Sequence, residues 1–218
     1  TGKAKALTDT DIRRDIVKAE NCFKCHGEFA GFHGDVRQDP RFCVTCHTDQ
    51  RRIGRAEAAT DASGNFTTDA TTAGTYVVMG RTILNFPNYI HKIHMGERLT
   101  KKGYAIGELK FNEIGLPQDV RNCRKCHEAS TIPSGSDWMQ HATPQGDNWK
   151  NKPSRLACGA CHDNVNFSDA TTHGAGLGGA WANDSVCHVC HTPDNIELKH
   201  LTINATPNNP NVPTGLVN

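Results

Sequence analysis

Residues Cys22-Phe23-Lys24-Cys25-His26 set a frame that the chain repeats four more times. It returns at Cys43-Val44-Thr45-Cys46-His47, Cys123-Arg124-Lys125-Cys126-His127, Cys158-Gly159-Ala160-Cys161-His162 and Cys187-His188-Val189-Cys190-His191. The five copies use all ten cysteines. Cys-x-x-Cys-His is the attachment signature of c-type haem. The two thiols add across the porphyrin vinyl groups, and the adjacent histidine becomes the proximal iron ligand. Five covalently bound haem c groups are therefore expected, with His26, His47, His127, His162 and His191 as proximal ligands.

Rival readings of paired cysteines fit less well. A zinc site joins two pairs, or one pair with two histidines, and five pairs cannot be matched two by two. A thioredoxin-like centre appears once, beside a βαβ pattern that is missing here. A disulfide framework leaves the five adjacent histidines without a role.

Composition agrees with a haem interior. Only 36% of the 218 residues are hydrophobic, and the mean hydropathy is −0.57. Side chains alone would make a thin core. The predicted fold class is a multihaem cytochrome c: short α-helices and irregular loops wrapped around haem, with little β structure. The formal charge of +1 omits the cofactors. With ionised propionates and ferric irons, the oxidised holoprotein carries about −4. The basic residues near the motifs (Arg13, Arg14, Lys24, Arg51, Arg52, Arg121, Arg124 and Lys125) read first as solvated surface, and second as partners for propionates. No basic stripe alternates with aromatics, so nucleic acid is not implied.

No apolar run has the length to span a bilayer. The chain opens on polar Thr1 without a leader. Haem is attached outside the bacterial cytoplasmic membrane, so a leader removed upstream and an extracytoplasmic location are expected. The lack of an anchor argues against a membrane-tethered quinol dehydrogenase.

The expected organisation is a pentahaem domain over residues 1–205 and a Pro/Asn-rich linker or tail over 206–218. Haems one and two lie at 22–47, an insertion at 51–118, and haems three to five at 123–191. Within the insertion, Asp61 to Thr75 reads as a surface excursion. Tyr76 to Phe86 reads as a short strand or hairpin, and Asn88 to Glu97 as a helix led by Pro87 and ending near Gly96. The N-terminal segment, with Thr8 or Thr10 as a start and Ile12, Ile16, Val17 and Ala19 at helical spacing, predicts a helix up to the first motif.

Of twelve histidines, seven are not proximal: His33, His91, His94, His141, His173, His188 and His200. Five irons need at most five more ligands, so histidine supply favours bis-histidine coordination, which leaves no open site. His91 and His94, three apart on a helix, lie about 60° around and about 4.5 Å along the axis, able to serve two neighbouring irons. His33 and His173 sit in His-Gly turns, and His200 follows the last motif by nine residues. These five are the expected distal ligands. His188, inside a motif, reads as exposed or as a neighbour that supports a ligand, and His141 as a reserve. Met79, Met95 and Met139 are alternative ligands made unnecessary by the histidines.

Taken together, these residues resemble the outer-membrane multihaem cytochromes of the OmcA/MtrC family, and one of its pentahaem domains in particular. The resemblance runs through Cys22 to Gly27 with Phe32-His33-Gly34, then Tyr89-Ile90-His91-Lys92-Ile93-His94-Met95-Gly96-Glu97. It continues through Leu116 to Cys123, Trp149, Pro153 to His162, and Thr172-His173-Gly174 through to His200. It implies haems packed edge to edge, and the distal role for His33, His91, His94, His173 and His200. It also implies electron delivery at the cell surface to ferric minerals, metal chelates or flavins, with the periplasm as second location. Partners implied are other multihaem cytochromes, a neighbouring pentahaem domain and an outer-membrane porin–cytochrome complex. Members usually carry two pentahaem domains separated by β-barrel domains, and this chain has one.

The expected function is electron relay without a catalytic residue, since terminal metal reduction needs no dedicated site. Two alternatives stand beside it. One is a nitrite-reductase-like enzyme with one open iron, commonly marked by lysine replacing a motif histidine; all five motifs here end in histidine. The other is a periplasmic electron shuttle.

Overall fold

The structure, a computed structural model, describes residues 15–27, 33–51, 77–78, 81–127, 143–165, 167, 173 and 183–201. The expectations for Asp61 to Thr75, the 206–218 tail, His141, Met79 and Met139 fall outside those residues. Helices are α1 (Ala19–His26), α2 (Pro40–Cys46), α3 (Phe86–Met95), α4 (Asn148–Asn151), α5 (Arg155–Cys161), α6 (Cys187–Cys190) and α7 (Pro193–Lys199). Single 3-10 turns lie at His33–Asp35, Gly96–Arg98, Phe111–Glu113 and Cys123–Lys125. Among the described residues the strands are two antiparallel ladders of two residues a side. β1 (Val77–Val78) pairs with β2 (Arg81–Thr82), and β3 (Ala105–Ile106) with β4 (Leu109–Lys110). Short helices with little strand is the class the sequence predicts.

The chain divides into two compact units, each discontinuous in sequence. The first is Thr1–Cys43, Arg121–Lys152 and Thr192–Val212; the second is Val44–Val120, Pro153–His191 and Pro213–Asn218. The division falls inside α2, after Cys43.

The second unit holds the apolar cluster: Ile83, Leu99, Tyr104 and Phe111, with Tyr89, Ile93, Met95 and Ile106 packed against it. Met95 thus serves the core. Helix α3 forms where expected but begins at Phe86, because Pro87 occupies its first turn, where a missing N–H costs nothing. It ends at Gly96, whose φ of 51° suits glycine. A Cβ there would meet the Ile114 carbonyl oxygen at 2.0 Å. Helix α5 starts on Ser154, whose Oγ accepts from the Ala157 N–H at 3.3 Å.

In the first unit the expected helix does not run unbroken up to the first motif, and its start at Thr8 or Thr10 lies outside the described residues. Residues 15–18 are not helical, and α1 begins at Ala19. The carbonyl of Asp15 accepts from the Gln145 N–H at 3.0 Å, and that of Ile16 from Thr143 Oγ1 at 3.2 Å. Carbonyls engaged by distant partners leave the i→i−4 ladder unformed there. Helix α7 is capped by Thr192, with Pro193 in its first turn.

Candidate functional site

Every cysteine and every histidine expected to bind metal lies among the described residues. The first motif is on α1, the second on α2 and His47, the third on the 3-10 turn at Cys123–Lys125, the fourth on α5 and the fifth on α6. Helical geometry puts two cysteines three apart on one side of the turn and carries the histidine just past them. Three motifs close identically, with the histidine N–H donating to the carbonyl of the first cysteine: His127 to Cys123 (2.8 Å), His162 to Cys158 (2.9 Å) and His191 to Cys187 (2.9 Å). None of the ten thiols is in a disulfide. Burial pushes the Cys22 thiol up to about 12, helped by neighbouring Cys126 and Cys43. Burial also lifts Cys161 to about 11, with the Lys92 ammonium opposing. Cys126, Cys158 and Cys187 are raised for the same first reason.

The five distal candidates fall into two kinds. His91, His94 and His200 ride helices or helix ends, and each turns its ring back toward the preceding turn. Nδ1 of His91 bonds the Pro87 carbonyl at 2.6 Å, that of His94 the Ile90 carbonyl at 2.7 Å, and that of His200 the Ile196 carbonyl at 2.7 Å. A carbonyl can only accept, so Nδ1 carries the proton and Nε2 the lone pair. This is the arrangement by which proteins fix a metal-binding imidazole. Burial holds His91 below the ordinary imidazole value, against the raising effect of the Pro87 bond, which favours the neutral form that metal binding requires.

His33 and His173 sit on loops. His33 is exposed, with φ of 49° beside Gly34. The His173 ring lies 6.1 Å from that of His191, centre to centre, with 18° between planes. Direct stacking is closer than this. Two imidazoles bonded to one metal at about 2.0–2.1 Å each, with roughly 1.1 Å from nitrogen to ring centre, stand about 6.3 Å apart. The spacing fits a single iron held between the rings. Phe167 packs on His173 at 4.9 Å, and the His173 Nδ1 is buried without a hydrogen-bond partner among the described residues.

The donor set also balances within each unit. The first unit contains proximal candidates His26 and His127 with distal candidates His33 and His200; the second contains His47, His162 and His191 with His91, His94 and His173. In the second unit, Cys161 Sγ lies 3.8 Å from the His91 carbonyl, and the His47 ring stacks on Tyr89 at 5.1 Å. In the first, a small cleft is lined by Cys123, Arg124, Trp149, Glu197 and His200. His188 is exposed, as expected.

Large apolar side chains at the motifs face outward. Phe42 is 58% exposed, Val44 43%, Val186 39% and Val189 68%, and each lies in or next to a motif. Such residues beside an attachment site suit the edge of a macrocycle.

Two charged groups escaped the sequence reading. Arg124, read as solvated surface, has a side chain only 17% exposed and pairs with Glu197, which also takes Lys150 Nζ at 2.6 Å. Lys92 is fully buried. Neither partnership has a local signal, since Arg124 and Glu197 are 73 residues apart and Lys92 and its acceptor Ala160 are 68 apart.

Residues 14–201 match the model of a family described as outer membrane cytochrome MtrC/MtrF-like, domains II/IV. The chain belongs to that family. Membership makes it a domain of the outer-membrane multihaem cytochromes, which are extracytoplasmic haem proteins of electron transport. It agrees with the resemblance read from the His91–Glu97 element and the motifs. The crystal structure of MtrC from Shewanella baltica OS185 is 23% identical, with a TM-score of 0.49, over 92% of this chain and 22% of that one. The chain thus spans about a fifth of the length of that cytochrome. Comparison with curated proteins gives no match. Among the described residues, no helix is long and apolar enough to cross a membrane.

Proposed function

We propose that this member of the MtrC/MtrF-like family is an electron-relay domain holding five c-type haems, each iron bound by two histidines. Cys22, Cys25, Cys43, Cys46, Cys123, Cys126, Cys158, Cys161, Cys187 and Cys190 form the thioethers. His26, His47, His127, His162 and His191 bind the inner faces. His33, His91, His94, His173 and His200 bind the outer ones. Bound haem supplies a one-electron couple that exchanges charge with its neighbours by tunnelling. The polypeptide fixes separation, ligand tautomer and local charge. His173 and His191 share one iron on this reading, and His200 serves the iron beside Cys123. The haems complete an interior that the side chains leave thin.

The observation that carries the proposal is the shared Nδ1-to-carbonyl bond of His91, His94 and His200, which presents Nε2 for ligation three times over. A surface histidine has no need of a fixed tautomer. Electrons then pass outward at the cell surface, toward ferric minerals, metal chelates or flavins, through other multihaem cytochromes and a porin–cytochrome complex.

Intact mass and the ferric absorption spectrum test this together. Five added haems and wholly low-spin spectra that ignore cyanide, carbon monoxide and nitrite are expected. A high-spin fraction with nitrite turnover moves the assignment to a reductase. Replacing His173 should turn one of the five haems high-spin and leave four unchanged. Protease accessibility in intact cells separates surface exposure from a periplasmic shuttle.

A further inference from the structure

Lys92 lies between two distal candidates on α3, fully buried, with its ammonium inside the second unit. Nζ donates to the carbonyl of Ala160 at 3.1 Å. Ala160 stands between Cys158 and Cys161, so the charge touches the backbone of the fourth attachment motif. The same Nζ sits 4.1 Å from the centre of the Tyr104 ring. The Tyr104 hydroxyl donates to Asp163 Oδ2 at 3.2 Å, and Asp163 directly follows His162. The Asp163 carboxylate also accepts the N–H groups of Thr100 at 3.0 Å and Lys101 at 2.8 Å. A positive and a negative charge thus flank one motif, with an aromatic ring between them.

Burying an ammonium is costly, and methionine would fill the same space more cheaply. A carbonyl and a ring face offset part of that cost.

We propose that Lys92 sets the reduction potential of the haem carried by Cys158 and Cys161, holding it above the value that burial and two imidazoles alone would give. This rests on the reading that those cysteines carry haem. One-electron reduction takes the iron from ferric to ferrous and adds one negative charge to the site, with no proton required. A fixed cation beside the site favours the reduced form, and the carboxylate of Asp163 beyond Tyr104 limits the effect. Local charge and hydrogen bonding are the protein's means of tuning such centres. A unit charge partly offset by that carboxylate changes the equilibrium by about tenfold, or 59 mV for a one-electron couple.

Spectroelectrochemical titration of the full holoprotein, with dithionite as the one-electron reductant, reads the result. Lys92→Gln keeps a donor for the Ala160 carbonyl but removes the charge, and Lys92→Arg keeps the charge. One of the five components should fall by about tenfold in K92Q, the rest staying in place, while K92R stays within about threefold of wild type. K92Q with every component within about twofold of wild type overturns the proposal. So does loss of haem or of low-spin character in either variant, which would make Lys92 a structural strut. Wild-type protein whose mass lacks haem at Cys158 and Cys161 overturns the underlying reading instead, a result visible before any titration.

Discussion

Removing the Glu197 carboxylate should loosen the helix that delivers His200. Glu197 lies on α7 and receives Lys150 from α4 and Arg124 from within the third motif, so it joins three segments of the first unit. Its side chain is 15% exposed, and those of its two partners 17% each. Exposed pairs contribute about 0–1 kcal/mol, whereas breaking a buried pair costs about 3–5 kcal/mol. Intermediate burial puts Glu197→Ala at about 2–3 kcal/mol, because two cations are left facing each other. At about 1.4 kcal/mol per tenfold, amides of Asn195 to His200 should exchange roughly 30–150 times faster. Hydrogen exchange with mass detection reads this directly, with Glu197→Gln expected to lie between. Exchange within about threefold of wild type in the alanine variant would show that the cations do not hold α7.

The same carboxylate predicts a pH dependence. Burial alone would raise it, but the bonds from Lys150 and Arg124 outweigh burial and hold it below the ordinary glutamate value of 4.5. A depressed carboxylate contributes stability that is complete above its unfolded value and disappears as pH falls through the lower folded value. Protection of α7 should therefore be constant down to about pH 5 and decline below it, and the decline should vanish in the alanine variant.

Three further predictions concern the elements that carry or support the candidate ligands. Gly96→Ala brings a Cβ to 2.0 Å from the Ile114 carbonyl at a φ of 51°, so it should destabilise by about 2 kcal/mol or more and lower the denaturant midpoint. Phe111→Ala empties a fully buried position in the cluster under α3 and should cost about 3–5 kcal/mol by the same titration. Ser154→Ala removes the cap of α5 and should cost about 1 kcal/mol, leaving the haem count unchanged by mass.

Much of the site was legible because its chemistry is written in contiguous residues. A Cys-x-x-Cys-His frame specifies two thiols and a ligand within one turn, and His91 with His94 needs only the helix period to be read as a pair. The hairpin near Val77 and the Gly96 stop were legible for the same reason. The break at residues 15–18 was not legible, because periodicity counts side chains and is blind to where backbone carbonyls go. Those of Asp15 and Ile16 go to Gln145 and Thr143, far along the chain.

Sequence by itself determined the family and its cofactor class, and it proposes the attachment points and the histidines that would complete each iron. Each is a property of a residue type at a fixed local spacing. Tertiary structure decided which groups meet: the approach of His173 to His191, the seat of Lys92 under Ala160 and the clamp of Glu197 on Arg124. Those depend on how the chain returns to itself after many residues, and the free energy that fixes the return is spread over the whole packed unit.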